Sequence, residues 1–138
     1  MRCCSGYDDK IAFGVGKGIV VYRTSDLAKG REIVRMGFDA YVFSVAISPC
    51  GTLVVSGMDS GLVEMRSLVD VGFKRVFQGH ANLVRMVLFS LCGSFLISGS
   101  SDSTVKIWVS ATGVCQATVD CGSWVYGLAL LPGGREPV

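Results

Sequence analysis

The chain has 138 residues, with 13 Lys plus Arg against 11 Asp plus Glu and a formal net charge of +2. That length suits one domain, and so small a balance, with no basic cluster on any one element, makes nucleic acid an unlikely partner. No secretory pattern opens the chain, because Met1-Arg2-Cys3-Cys4 runs straight into polar residues, so an intracellular, cytoplasmic protein is expected.

In chain order, Ile11 to Val15, Gly18 to Tyr22 and Arg31 to Met36 read as strands, rich in β-branched and apolar residues and bounded by turn residues. Gly14-Val15-Gly16-Lys17-Gly18 resembles a phosphate loop only superficially. It lacks the Gly-Lys-Ser/Thr ending, and a strand follows instead of a helix, so a hairpin is expected. Ser25 to Arg31 is the nearest helical candidate, and Gly30 with a single large apolar residue argues against it. Ala40 to Met58 is uncharged for 19 residues, nominally a membrane span. Ser48-Pro49-Cys50-Gly51 breaks it with a turn, which a spanning helix does not accommodate. From Leu83 the pattern is clearest: strands at Leu83 to Ser90, Ser94 to Gly99 and Thr104 to Val109, with a weaker one at Val114 to Val119.

These strands belong to a repeat. Gly37 to Arg66 overlays Gly79 to Trp108 without a gap at an offset of 42, with nine identities in 30 pairs, among them Ser56/Ser98 and Gly57/Gly99. Gly18 to Arg23 matches Gly61 to Arg66, and Trp124 to Leu128 matches Leu83 to Val87. A period near 42 is that of a four-stranded propeller blade. The reading is all-β: residues 1–138 form an incomplete propeller of about three four-stranded antiparallel blades. A partial first blade covers 8–36, whole blades cover 37–78 and 79–120, and a fourth begins at 121–138.

The third unit carries a family resemblance. Gly79-His80, Val84, Phe89-Ser90, Gly93, Ser98-Gly99-Ser100, Asp102 and Thr104-Val105-Lys106-Ile107-Trp108 are similar to a WD-repeat of the β-propeller family. Val109 stands where that family has aspartate, and the second unit is degenerate, with Phe38 for the histidine and Arg66 for the tryptophan. The resemblance implies that Asp102, His80, Ser98 and Trp108 form a buried structural chain, not a hydrolytic triad, and Ser98 lies within a strand where a nucleophile elbow would not be built. It also implies that side chains three and five positions past the histidine face partners: Tyr41 and Phe43, Leu83 and Arg85, and Trp124 and Tyr126, counted from Phe38, His80 and Cys121. Apolar, aromatic and arginine side chains are the types enriched in interface anchors, although packing between blades would use the same types.

The expected function is a non-catalytic protein–protein interaction scaffold. The alternative is a propeller enzyme or small-molecule receptor with a central-channel site. Cys3, Cys4, Cys50, Cys92, Cys115 and Cys121 contain no Cys-x-x-Cys spacing, and His80 is the only histidine, so no metal and no cofactor are expected. Free thiols are expected, and although Cys3-Cys4 is a pair of the kind that acylation uses, two adjacent cysteines near a start are more often no more than that. An open arc would expose apolar faces and strand edges. The chain is therefore expected to be a fragment, or to have its ring completed by additional repeats, other copies or another chain.

Overall fold

The structure is a computed structural model and describes residues 10–70 and 72–128. Eleven strands form three antiparallel sheets. The first sheet holds β1 (Lys10–Val15), β2 (Gly18–Arg23) and β3 (Glu32–Gly37). The second holds β4 (Val42–Ile47), β5 (Leu53–Met58), β6 (Val63–Ser67) and β7 (Lys74–Phe77). The third holds β8 (Val84–Phe89), β9 (Phe95–Ser100), β10 (Thr104–Val109) and β11 (Cys115–Asp120). Within each sheet the strands lie in sequence order, the meander expected of short strands joined by tight turns.

The turn chemistry explains the hairpins. Gly51 (φ 74°) and Gly93 (φ 75°) hold equivalent positive-φ positions in the β4–β5 and β8–β9 turns, where a Cβ would be strained. Ser48 and Ser90 brace those turns, each accepting from a backbone N–H five residues on with its hydroxyl, Leu53 and Phe95 at 3.1 Å. Most strand edges differ from expectation by one residue, and β10 matches it at both ends. Thr24–Lys29 is a 3-10 helix, where the sequence offers no helical period. A helix of i to i+3 bonds needs no apolar stripe at 3.6 spacing, so that pattern cannot signal it. Cys3 and Cys4 lie outside the described residues, as do 129–138 of the fourth unit; within 121–128 no strand forms.

Two buried clusters fill the spaces between sheets. Ile19, Val21 and Val54 join the first sheet to the second. Val55, Val63, Met65, Phe77, Val84, Val87, Phe89, Leu96 and Trp108 join the second to the third. One contact recurs at each junction. A Cβ on Gly14 would lie 2.9 Å from Val42 Cγ1, one on Gly57 2.6 Å from Val84 Cγ1, and one on Gly99 2.6 Å from Val125 Cγ1. The glycine on one strand is thus a notch into which the opening valine of the next unit seats. Backbone bonds fix the same approach, Val42 N–H to Gly16 O at 2.9 Å and Val125 N–H to Ser100 O at 3.1 Å. Val125 is consequently buried although it lies in no strand.

Candidate functional site

The third sheet draws four polar residues into one chain. His80, before β8, reaches Asp102 in the β9–β10 turn through Nδ1 at 2.9 Å and Ser98 on β9 through Nε2 at 2.6 Å. Trp108 on β10 donates its Nε1–H to Ser98 Oγ at 2.9 Å. A carboxylate only accepts, so Nδ1 carries the proton, and the neutral ring leaves Nε2 to accept from the Ser98 hydroxyl. Asp102 also accepts from Ala81 N–H at 3.0 Å, Thr104 N–H at 2.9 Å and Thr104 Oγ1–H at 2.6 Å.

Electrostatics follow from this packing. Burial pushes His80 below its usual value, against the raising effect of the Asp102 bond and charge. Burial would raise Asp102, but bonds from the Thr104 side chain, Ala81, His80 and the Thr104 backbone outweigh it and hold the carboxyl well below its usual range. The folded state therefore favours neutral His80 and ionised Asp102. Both contributions are complete above pH about 6.5 and decline on acidification, His80 first and Asp102 below about 3.8. Urea midpoints at pH 7, 5 and 3 should fall in that order, and a midpoint constant across the range contradicts the coupling.

Order and distances here mimic an Asp-His-Ser triad, but accessibility opposes catalysis. Ser98 is fully buried, and its oxygen already serves both Trp108 and His80. Single replacement of Ser98, His80 or Asp102 by an apolar residue should cost about 1–3 kcal/mol, because a buried partner is orphaned. Double replacements should cost less than the sum. Denaturant unfolding of the single and double variants checks this, and strict additivity would show that the four do not act as a set.

The second sheet solves the same position differently. Arg66 stands where Trp108 does, its guanidinium 4.1 Å from the Phe38 ring centre. Its Nε donates to the buried Glu64 carboxylate at 2.7 Å. Ser56, the counterpart of Ser98, turns to the Glu64 carbonyl at 3.4 Å. A stacked ion pair replaces the hydrogen-bonded chain.

The six residues expected to face partners fall into separate settings. Tyr41, Phe43, Trp124 and Tyr126 are exposed, at 52%, 50%, 54% and 66%, too open for core packing; Leu83 and Arg85 are half-buried. Arg85, Trp124 and Tyr126 form one cluster, with the guanidinium 5.5 Å and 4.8 Å from the two ring centres. Tyr41 instead sits beneath the Lys17 ammonium at 5.2 Å. Phe43 lines a cavity of about 310 Å³ between β1 and β4 with Ala12, Phe13, Gly14, Val42, Ser44 and Val45. None of these lining side chains titrates, so the cavity offers no acid, base or nucleophile beyond the Ser44 hydroxyl. Sequence reasoning missed Lys17 and Ser101, because their contacts depend on the direction of a turn side chain, which spacing does not reveal. No group of three or more His, Cys, Asp or Glu suited to a metal occurs among the described residues. No helix among them is long and apolar enough to cross a membrane.

The comparisons agree with this geometry. The family model "WD domain, G-beta repeat" matches residues 32–65 and 72–109. The chain is 29% identical over 119 residues to WD repeat-containing protein 18 of Danio rerio, covering 78% of this chain and 28% of that protein. It is 43% identical over 60 residues to a Ribosome biogenesis protein BOP1 homolog of Drosophila mojavensis, covering 44% of this chain and 8% of that one. The chain thus spans less than a third of these relatives' length. Among solved structures it superposes on a chain of "Crystal Structure of Mitotic Checkpoint Complex" with a TM-score of 0.78 at 21% identity, covering 91% of this chain and 40% of the other. It superposes on "Crystal structure of RRP9 WD40 repeats" with a TM-score of 0.71 at 24% identity, covering 80% and 35%. Three twisted antiparallel sheets stacked through glycine notches, a WD-type polar chain in the third, and a family match across the second and third units make this chain a member of the WD-repeat family with the β-propeller fold.

Proposed function

We propose that the chain is a non-catalytic platform for protein–protein assembly, working in ribosome biogenesis. The observation that carries the first part is the set of exposed aromatic side chains, Tyr41 and Phe43 at the start of β4, and Trp124 and Tyr126 on either side of Val125, which seats against Gly99 of the third sheet. Aromatic anchors on a preorganised frame lose little conformational freedom on binding, which is where affinity is gained. The buried chain from Asp102 to Trp108 serves to hold one blade in shape. The second part rests on the relative whose name specifies ribosome biogenesis, and such a role favours the nucleus over the cytoplasm expected from the sequence.

Changing Trp124 or Tyr41 to serine should reduce partner capture from cells about tenfold while shifting unfolding free energy by under about 0.5 kcal/mol, as exposed positions allow. Capture of a tagged chain, with nuclease treatment to remove RNA bridging, followed by urea unfolding, measures both. A large stability loss without a capture defect would make these residues packing and sink the proposed face. An exposed catalytic serine elsewhere, found by a hydrolase screen with a covalent serine probe, would favour the enzyme reading.

A further inference from the structure

Arg85 lies on β8 at the centre of the aromatic cluster. Its Nε donates to Ser101 Oγ at 2.7 Å, which fixes the guanidinium plane. Trp124 and Tyr126 pack against it side by side, their ring centres 6.1 Å apart at 61°. Among the described residues Arg85 has no carboxylate partner, and its terminal nitrogens make no hydrogen bond. A guanidinium fixed by one hydrogen bond and packed against two rings while its outer donors stay free is preorganised for a planar, bidentate acceptor.

We propose that this cluster docks an acidic segment of a partner protein, a carboxylate of which pairs with Arg85 beside Trp124 and Tyr126. The proposal rests on the scaffold reading and specifies the chemistry of what the scaffold holds. Charge complementarity carries it: the cluster supplies a cation and two apolar surfaces and no acid of its own. A single-stranded nucleic acid would also stack on the rings, but its phosphates need a series of cations along the groove. Lys17 at Tyr41 is the only other cation stacked on the exposed aromatics among the described residues.

The test is selection from a random heptapeptide display library on the immobilised full chain, repeated with Arg85→Gln and with Ser101→Ala, each checked for a native urea midpoint. Asp and Glu should be enriched several-fold over the input pool. Individual selected peptides should bind about tenfold more weakly to Arg85→Gln, with a smaller loss for Ser101→Ala, which frees the side chain but keeps its charge. Binding should weaken as salt rises. A pool that is lost on Trp124→Ser but indifferent to Arg85→Gln overturns the acidic partner and leaves the scaffold face standing. A ten-nucleotide uridine RNA that outcompetes the selected peptides and depends on Arg85 overturns it in favour of nucleic acid. No enriched pool on the wild-type chain overturns both this proposal and the scaffold reading.

Discussion

Replacing Trp108 by alanine is expected to lower unfolding free energy by about 3–5 kcal/mol, the cost of deleting a large buried aromatic and leaving a cavity. The indole is 1% exposed. It packs edge-on to Phe77, with ring centres 5.6 Å apart, so it ties β10 to the neighbouring sheet as well as filling its own. Its N–H is also the terminal donor of the polar chain at Ser98. Trp108→Phe keeps most of the volume and removes that donor, and should cost less, about 1–3 kcal/mol. Urea unfolding of both variants separates packing from hydrogen bonding. Equal losses would assign the whole effect to the N–H, and a loss under about 1 kcal/mol for alanine would remove Trp108 from the core altogether.

Gly61→Ala should cost about 2–4 kcal/mol, from two penalties that act together. Gly61 has φ of +91°, and a Cβ there would lie 2.7 Å from the His80 carbonyl oxygen and 3.1 Å from that of Asn82. Those atoms are backbone of the next unit and cannot rotate away. Gly16→Ala provides the control, since it has φ of +58° with nothing within 4 Å of the added carbon, and should show the conformational penalty alone, about 1 kcal/mol. Ser103 occupies the position of Gly61 in the following unit at φ 75°, so the positive φ alone does not exclude a side chain in this turn. Similar losses for the two alanine variants in denaturant unfolding would refute the clash.

Much of the fold was legible in the sequence because a repeat shows each element more than once. The strands from Val84 to Val109 and their turns followed from Gly93, the Ser100 to Ser103 turn and the apolar runs between them. What escaped reading was whatever a single unit does alone. The 3-10 helix at Thr24–Lys29 has no counterpart among the described residues of the other units and no periodicity of its own. The Arg66–Phe38–Glu64 arrangement was visible only as a departure from pattern, because stacking of a guanidinium on a ring depends on side-chain direction, which spacing does not reveal. The glycine notches lie behind a visible identity: Gly57 and Gly99 match in the repeat, but the reason for it lies across the sheet junction at Val84 and Val125. Of the six side chains expected to face partners, exposure separates four that stand open from Leu83 and Arg85, a distinction composition cannot draw.

The notch and its valine have a consequence for how the number of units is set. The second and third units each carry a plug on one flank and a socket on the other, Val42 with Gly57 and Val84 with Gly99, so that Gly14 receives Val42, Gly57 receives Val84 and Gly99 receives Val125. Joints of this head-to-tail kind are heterologous, and they end only when the rotation per step brings the last socket round to the first plug. Deleting or duplicating one whole period keeps every socket matched, whereas a cut inside a period leaves a plug without a seat. The count of units therefore changes only by whole periods.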